Sequence, residues 1–210
     1  GLIWSPNDNF NLKLDYWAID YTDLITIESA QGKVIANPLD PDVKRTIDGT
    51  LTGVTTSYFN ASAVDTNGFD LEMTYDFDTG LGSAQLGLKA MHMLQYEIPL
   101  QTGEVKDVVG LFNHDNFARS LPETKMVLHG ALQNGNHSLV AFGRWVSDYE
   151  TTRPLDAIAQ SRGFTNDVDS FFTVDLKYSY NFEMNDNDLL LTLGMTNAFD
   201  EEVPLVYDAA

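Results

Sequence analysis

The sequence predicts an all-β protein: an antiparallel up-and-down meander of about eight strands, of the kind that builds a transmembrane β-barrel. Strand-like runs alternate apolar and polar residues over unusual lengths. The connections between them alternate short and long. No run approaches the roughly 20 apolar residues that a membrane helix requires.

The clearest run is 171–182. Phe172, Val174, Leu176, Tyr178, Tyr180 and Phe182 share one parity, and Thr173, Asp175, Lys177, Ser179 and Asn181 the other. A period of two puts each set on its own face of a strand.

The other runs follow in order. A first run ends near Ser5, with a tight turn at 6–9. Phe10 to Tyr21 sets Phe10, Leu12, Leu14, Tyr16 and Ala18 against Asn11, Lys13 and Asp15. Its phase blurs at Trp17 and Ile19, which predicts a bulge. A strand descending from near Val54 ends clearly: Phe69, Leu71, Met73, Tyr75 and Phe77 oppose Asp70, Glu72, Thr74 and Asp76. After a turn at Asp78-Thr79-Gly80, Ser83 to Tyr96 returns. Thr124 to Leu132 and His137 to Tyr149 flank Asn134-Gly135, a strong hairpin signal. The last run, Leu189 to Phe199, follows a polar turn at Asn185 to Asp188.

The long connections are 22–51, 97–120 and 150–169, and they fall at every second position, so they share one end of the sheet. Transmembrane barrels place long loops on one side and short turns on the other. Aromatics gather toward strand ends, where rings at headgroup level belong. A soluble β-sandwich shares the alternation, so what covers the apolar face is decisive. Eight strands with about five outward apolar residues carry about 40 such side chains; at roughly 1.5–3 kcal/mol each, exposure to water costs tens of kcal/mol. Lipid or a second layer must cover them, and no helical segment long enough to do so is evident.

Composition removes other classes. The chain has 210 residues, 43% hydrophobic, with a net charge of −19. That balance argues against nucleic acid and against docking on anionic lipid. Without cysteine there is no disulfide scaffold, zinc–thiolate site or thiol chemistry. Starting at Gly1, the chain reads as an excised or mature segment.

Several stretches together resemble the C-terminal part of the barrel of TonB-dependent outer-membrane receptors. Tyr16 to Leu24 resembles the family's strand of an aromatic pair, Ile, Asp and an aliphatic. Asn60 with Gly68-Phe69-Asp70-Leu71-Glu72 resembles its "N…G-x-E-x-E" strand, with Asp70 at the first acidic place. Leu121-Pro122-Glu123-Thr124-Lys125 resembles its "lPk" strand start. Thr173-Val174-Asp175-Leu176 and Leu191 to Asp200, with Asn197, Phe199 and Asp200, resemble its closing "tvDl…NlFD" pattern.

The resemblance implies that 1–210 is a segment of a transmembrane β-barrel of about 22 strands, not a complete barrel alone. The plug domain and the final C-terminal strand are then absent from it. It further implies active uptake of a scarce nutrient across the outer membrane of a Gram-negative bacterium. The cargo would be a ferric siderophore, haem, cobalamin or glycan, and the TonB complex would act through the plug. Phe69, Leu71, Met73, Leu191 and Leu193 are then expected to meet lipid. Asp70, Glu72, Lys89, Lys125, Asp175 and Lys177 would line the lumen, and cargo selectivity would lie in loops 22–51, 97–120 and 150–169. The alternatives are a passive porin-like channel and a soluble β-sandwich ligand-binding module.

No catalytic constellation stands out, so an enzyme is the least supported class and no cofactor is expected. The histidines, His92, His114, His129 and His137, lack metal-ligand spacing. His114-Asp115 is the one loop pair of note. Asn185 to Asp188 and Asp65 to Gly68 lack the pattern of a calcium loop. There is no G-x-S-x-G, P-loop or G-x-G-x-x-G.

Overall fold

The structure is a computed structural model that describes residues 1–99, 105–112, 120–184 and 187–206. In chain order its elements begin with β1 (Leu2–Asn7), β2 (Phe10–Ile27), α1 (Ala30–Ala36), β3 (Val43–Arg45) and β4 (Leu51–Val54). Next come β5 (Tyr58–Thr79), β6 (Gly82–Pro99), β7 (Val105–Asp107), β8 (Leu111–Phe112) and β9 (Ser120–Leu121). The rest are β10 (Thr124–Asn134), β11 (His137–Val146), β12 (Tyr149–Thr151), α2 (Ala157–Ser161), β13 (Asp167–Val168), β14 (Phe171–Met184) and β15 (Asn187–Met195).

Eight strands make one sheet in the order β1-β2-β5-β6-β10-β11-β14-β15, each antiparallel to the next, with β7 added beside β6. This is the predicted meander. It is open: β1 and β15 each have one unpaired edge among the described residues. Two smaller sheets, β13-β12-β8-β9 and β3-β4, lie in the long connections.

Register puts the predicted residues on common faces. Leu14 opposes Leu71, Leu71 opposes Ala90, and Ala90 opposes Met126. The outward row is therefore apolar across four strands, while the rows on either side carry Lys13, Glu72 and Lys89, and Asp15, Asp70 and Lys125. Among the described residues nothing covers the outward face: Leu128 is 52%, Phe172 48% and Leu193 62% exposed. The buried apolar side chains, Val43, Val64, Met93, Ile98, Val108, Ala159 and Val168, all lie away from it. A sandwich would bury that face against a second sheet, so the module alternative fails.

The height of the apolar face matches a bilayer. Phe172 to Phe182 is ten residue steps of β14, about 34 Å along the strand; at a tilt near 40° it rises about 26 Å, against roughly 25 Å for an outer-membrane apolar band. Aromatic rings bound the band. At the short-turn end Trp4 meets Phe10 at 5.5 Å, Phe10 meets Tyr75 at 6.3 Å, and Tyr180 meets Phe182 at 4.5 Å. At the other end Tyr16 meets Phe69 at 5.3 Å.

The strands run past this band. β2 continues to Ile27 and β5 starts at Tyr58, so the connection predicted at 22–51 lies about six residues later, at 28–57. The expected bulge at Trp17 and Ile19 is absent, because β2 and β5 keep a constant register from Phe10↔Tyr75 to Ile27↔Tyr58. The phase blurs for another reason. Beyond Ala18 the apolar residues move to the inner parity, as Ile19, Tyr21, Ile25 and Ile27. The true shift lies two strands away: Asn67 opposes Gln95 while Gly68 opposes Met93, leaving Leu94 as the extra residue of β6. Past it Tyr96 and Ile98 face inward, and Val64, Ile98 and Val108 form a small core with Tyr96, Leu111 and Leu121. Trp17, Tyr21 and Tyr96 thus stand on the inner side and not at headgroup level.

Gly68 sits at the crossover. A Cβ there would lie 2.5 Å from the His92 carbonyl oxygen and 2.7 Å from the Trp17 ring. The ring lies over the glycine, and the bulged strand brings its backbone close. At the turn after β10, Gly135 has φ of +54° and takes the first central position, where a II′-type turn requires it.

Gly68→Ala is expected to lower unfolding stability by about 1–3 kcal/mol through overpacking. Gly130→Ala, whose added carbon would meet only Leu86 at 3.5 Å, should change little. Denaturant titration in detergent, read by the heat-resistant electrophoretic band, checks the pair. Equal midpoints would contradict the close approach.

Candidate functional site

The inner face carries a charged strip. Lys13 and Asp15 of β2, Asp70 and Glu72 of β5, Lys89 of β6 and Lys125 of β10 line one shallow cavity of about 390 Å³. Antiparallel register assembles it: Lys13 opposes Glu72, Glu72 opposes Lys89, and Asp70 opposes Asp15 and Met91. Lys13 pairs with Asp15 at 2.9 Å and Lys89 with Glu72 at 2.8 Å. Both lysines are at least half exposed, so solvent screening leaves each pair little net stabilisation. The pairs set the charge of a wet wall more than they stabilise it.

A second inner group lies across β6, β10, β11 and β14. Gln85 contacts the His129 ring at 3.2 Å, and that ring stacks on Phe142 at 6.1 Å. Arg144 lies 5.8 Å over Phe142 and pairs with Asp175. Asp175 also accepts the Asn197 backbone N–H at 3.0 Å. Gly87 leaves room for the His129 ring, which a Cβ would strike.

The long-loop end is built largely from backbone pairing. β12 runs parallel to β8, with Glu150 opposite Leu111 and Thr151 opposite Phe112. Connections 97–120 and 150–169 are thereby joined. Tyr96 lies beneath them, and burial pushes its phenol above the ordinary value, with Tyr21 nearby adding to the shift. The remaining long loop has its own centre. Lys33 donates to Asp42 at 2.8 Å and to the Thr55 carbonyl at 3.1 Å, and pairs with Glu28 at 2.7 Å. The Ser57 N–H in turn donates to Glu28 at 2.9 Å.

A family described as "TonB dependent receptor-like, beta-barrel" matches residues 1–198. The chain belongs to this family. Two solved structures share the fold, both mutants of the ferric enterobactin receptor (PfeA) of Pseudomonas aeruginosa, one carrying G324V and one R480A and Q482A. Each is 19% identical with a TM-score of 0.58, over 94% of this chain and 24% of that chain. This segment thus spans about a quarter of those receptors. No curated protein sequence matches it.

In this receptor-barrel segment the motif residues do different things. Asn60 donates to the Asp23 carboxylate at 3.1 Å, beside the positive φ of Asp23. Gly68 lies under Trp17, and Asp70 and Glu72 belong to the charged strip. Asp175 ties β11 to the chain after β15. Asn197 has φ of +47°, and its side chain both donates to and accepts from the Glu201 backbone at 3.0 Å. Asp200 has φ of +54° and donates its N–H to the Asn197 carbonyl, while Phe199 is 75% exposed. Lys177 shares the inner parity but lies opposite Val140 and Gly194.

His92 is on the outward parity and contacts Thr124 at 2.8 Å; His137 contacts Tyr178 at 2.7 Å. His114 and Asp115 lie outside the described residues, as do Asn185 and Asp186 of the polar turn and parts of connection 97–120. Sequence reasoning missed the His129–Phe142–Arg144 group and the role of Trp17. For Trp17 the signal was there: an aromatic opposite a motif glycine.

Asp175→Ala should speed exchange of the Asn197 amide by about ten- to a hundredfold, the worth of a hydrogen bond to a charged acceptor. Asp175→Asn keeps an acceptor and should stay near native. Equal effects would rule out the amide contact.

Loop 28–57 should respond to acid. Lys33 beside Glu28 holds that carboxyl below its ordinary value near 4.5, helped by the Ser57 N–H. Its contribution to loop order is then complete above that value and is lost as pH falls through the lowered one. Lys33 is shifted upward by Asp42 and then Glu28, so its contribution persists until strongly alkaline pH. Protection of the Ser57 amide should therefore stay level down to about pH 5 and fall below it. A fall starting near neutrality would contradict this.

Proposed function

We propose that the full-length protein imports a scarce small nutrient across the outer membrane of a Gram-negative bacterium, energised by the TonB complex through a plug domain. The observation that carries this is the uncovered apolar face, as tall as a bilayer, backed by a charged inner wall. Lipid covers the outward face, and the inner wall bounds the path of the cargo. The joined loops 97–120 and 150–169, with loop 22–51, stand at the outer mouth and select cargo. A ferric siderophore is the first candidate cargo, since the two similar structures are of a receptor named for one. Family membership supports TonB dependence over passive diffusion.

Uptake in cells tests this. A strain producing the full-length protein should accumulate an iron(III) siderophore only while the TonB complex is intact. Accumulation that persists without the complex would favour a passive channel. A full-length protein that stays folded and monomeric without detergent would overturn the membrane reading.

A further inference from the structure

At the long-loop end the β10–β11 hairpin splits. Its strands pair from Asn134↔His137 to Lys125↔Val146. One step further, Ser147 donates its N–H to the Thr124 carbonyl at 2.9 Å, but Thr124 donates its own to the Ser147 hydroxyl at 3.1 Å. The ladder ends there. β9 and β12 carry the two chains onward, and β8 lies between them, in the order β13-β12-β8-β9. Leu111 of β8 opposes Leu121 on one side and Glu150 on the other. Gly110, with φ of +73°, turns the chain into this slot. Its carbonyl accepts the Glu150 N–H at 2.9 Å, and its N–H donates to the Leu121 carbonyl at 2.7 Å. The Phe112 carbonyl accepts the Thr152 N–H at 2.9 Å. Leu111 packs with Leu121 against the core of Val64, Ile98 and Val108.

The sequence holds the slot open. Continuing the β10–β11 register would set Glu123 opposite Asp148, Pro122 opposite Tyr149 and Leu121 opposite Glu150. Hydrogen-bonded pairs recur at every second position of an antiparallel ladder. The Ser147 bond marks 124–147 as such a pair, so 122–149 would be the next. Pro122 has no N–H to give there. The pair between them, 123–148, would be the close kind, in which side chains approach most nearly, and it would set two carboxylates side by side. The Glu123 carbonyl is also engaged on the far side, accepting the Met93 N–H of β6 at 2.8 Å. Zipping is opposed at each step, so β9 and β12 present two strand edges, and β8 fills the gap between them.

We propose that β8 is a withdrawable wedge, and that its seating in the split hairpin orders connections 97–120 and 150–169 together. The device goes beyond the uptake function and holds whatever the barrel carries. Seated, β8 gives the two connections one sheet. Withdrawn, it leaves the facing edges of β9 and β12 unpaired in the same step, because one strand serves both. Two residues with few backbone bonds place this element at the low-stability end of the fold, where opening is accessible.

The chain has no cysteine, so introduced pairs report on the slot in the full-length protein in detergent, with the heat-resistant electrophoretic band as the check on folding. Paired strands lie about 4.8 Å apart, within disulfide reach; strands with a third between them lie about 9.6 Å apart, beyond the limit of roughly 7 Å between Cα atoms. Leu111→Cys with Glu150→Cys should cross-link readily under a mild oxidant. Leu121→Cys with Glu150→Cys should cross-link at least about tenfold more slowly, at the rate set by withdrawal. Adding Pro122→Val and Asp148→Lys, which restores an N–H and gives Glu123 an opposite charge, should speed the second cross-link at least about tenfold. Asp148→Lys alone should give part of that gain, which keeps the comparison if the valine disturbs folding. Once 121 and 150 are joined, the amides of Gly110 and Thr152 should both exchange at least about tenfold faster. A Leu121–Glu150 pair that never joins would show a fixed strand and overturn the wedge. Equal rates for the two pairs would show that β8 is not seated. No gain from Asp148→Lys would overturn the account of the open slot, and faster exchange at only one of the two amides would overturn the coupling.

Discussion

Backbone hydrogen bonding between two unlike surroundings is the constraint on which the rest depends. A strand in hydrocarbon cannot leave N–H or C=O groups unpaired, so each must bond a neighbour on both sides. From β2 to β14 every long strand does so, in an unbroken antiparallel series. Once the ladder holds the backbone, side chains have only two directions. One direction must be apolar and the other is free to be charged. Strand length, ring placement and the charged strip follow from that division. Lys13, Glu72 and Lys89 stand in one row because their neighbours Leu12, Met73 and Leu88 must stand in the other.

The same constraint accounts for the crossover at Gly68. Above the band the outward face meets water, and apolar residues gain nothing there. Along β2 they move to the inner parity, and the ladder is undisturbed because only side-chain identity changes. Between β5 and β6 the ladder itself changes, through the extra residue Leu94. The two solutions meet at one height, where Trp17 lies across Gly68 and the His92 carbonyl presses from the next strand. A residue without a side chain satisfies both approaches. Its place in the family motif therefore has a steric reason.

The meander was legible from alternation and loop spacing, because a period of two survives wherever the two faces keep their surroundings. Legibility failed where those surroundings swap. At Trp17 and Ile19 the changed pattern resembled an inserted residue, although register never slips. The motif acids Asp70, Glu72 and Asp175 were readable as inner residues by parity alone. Their partners were less so: Arg144 meets Asp175 only because β11 and β14 pair in one particular register. The His129–Phe142 stack depends likewise on register between β10 and β11. The β8–β12 pairing was out of reach, since two short parallel segments from separate loops carry no periodic signal.

That pairing bears on how the mouth of the barrel behaves. The loop sheets have few buried side chains: Val108 sits in one cluster, while Thr151, Ala159 and Val168 mark the other connection. Segments held by a few backbone bonds and little apolar burial belong to the low-stability end of a fold. The ribbon beneath them is continuous with the spanning ladder and is held along its whole length. The ribbon therefore keeps its shape while the joined loops adjust above it. The parallel β8–β12 link joins connections 97–120 and 150–169, so a shift in one is carried to the other.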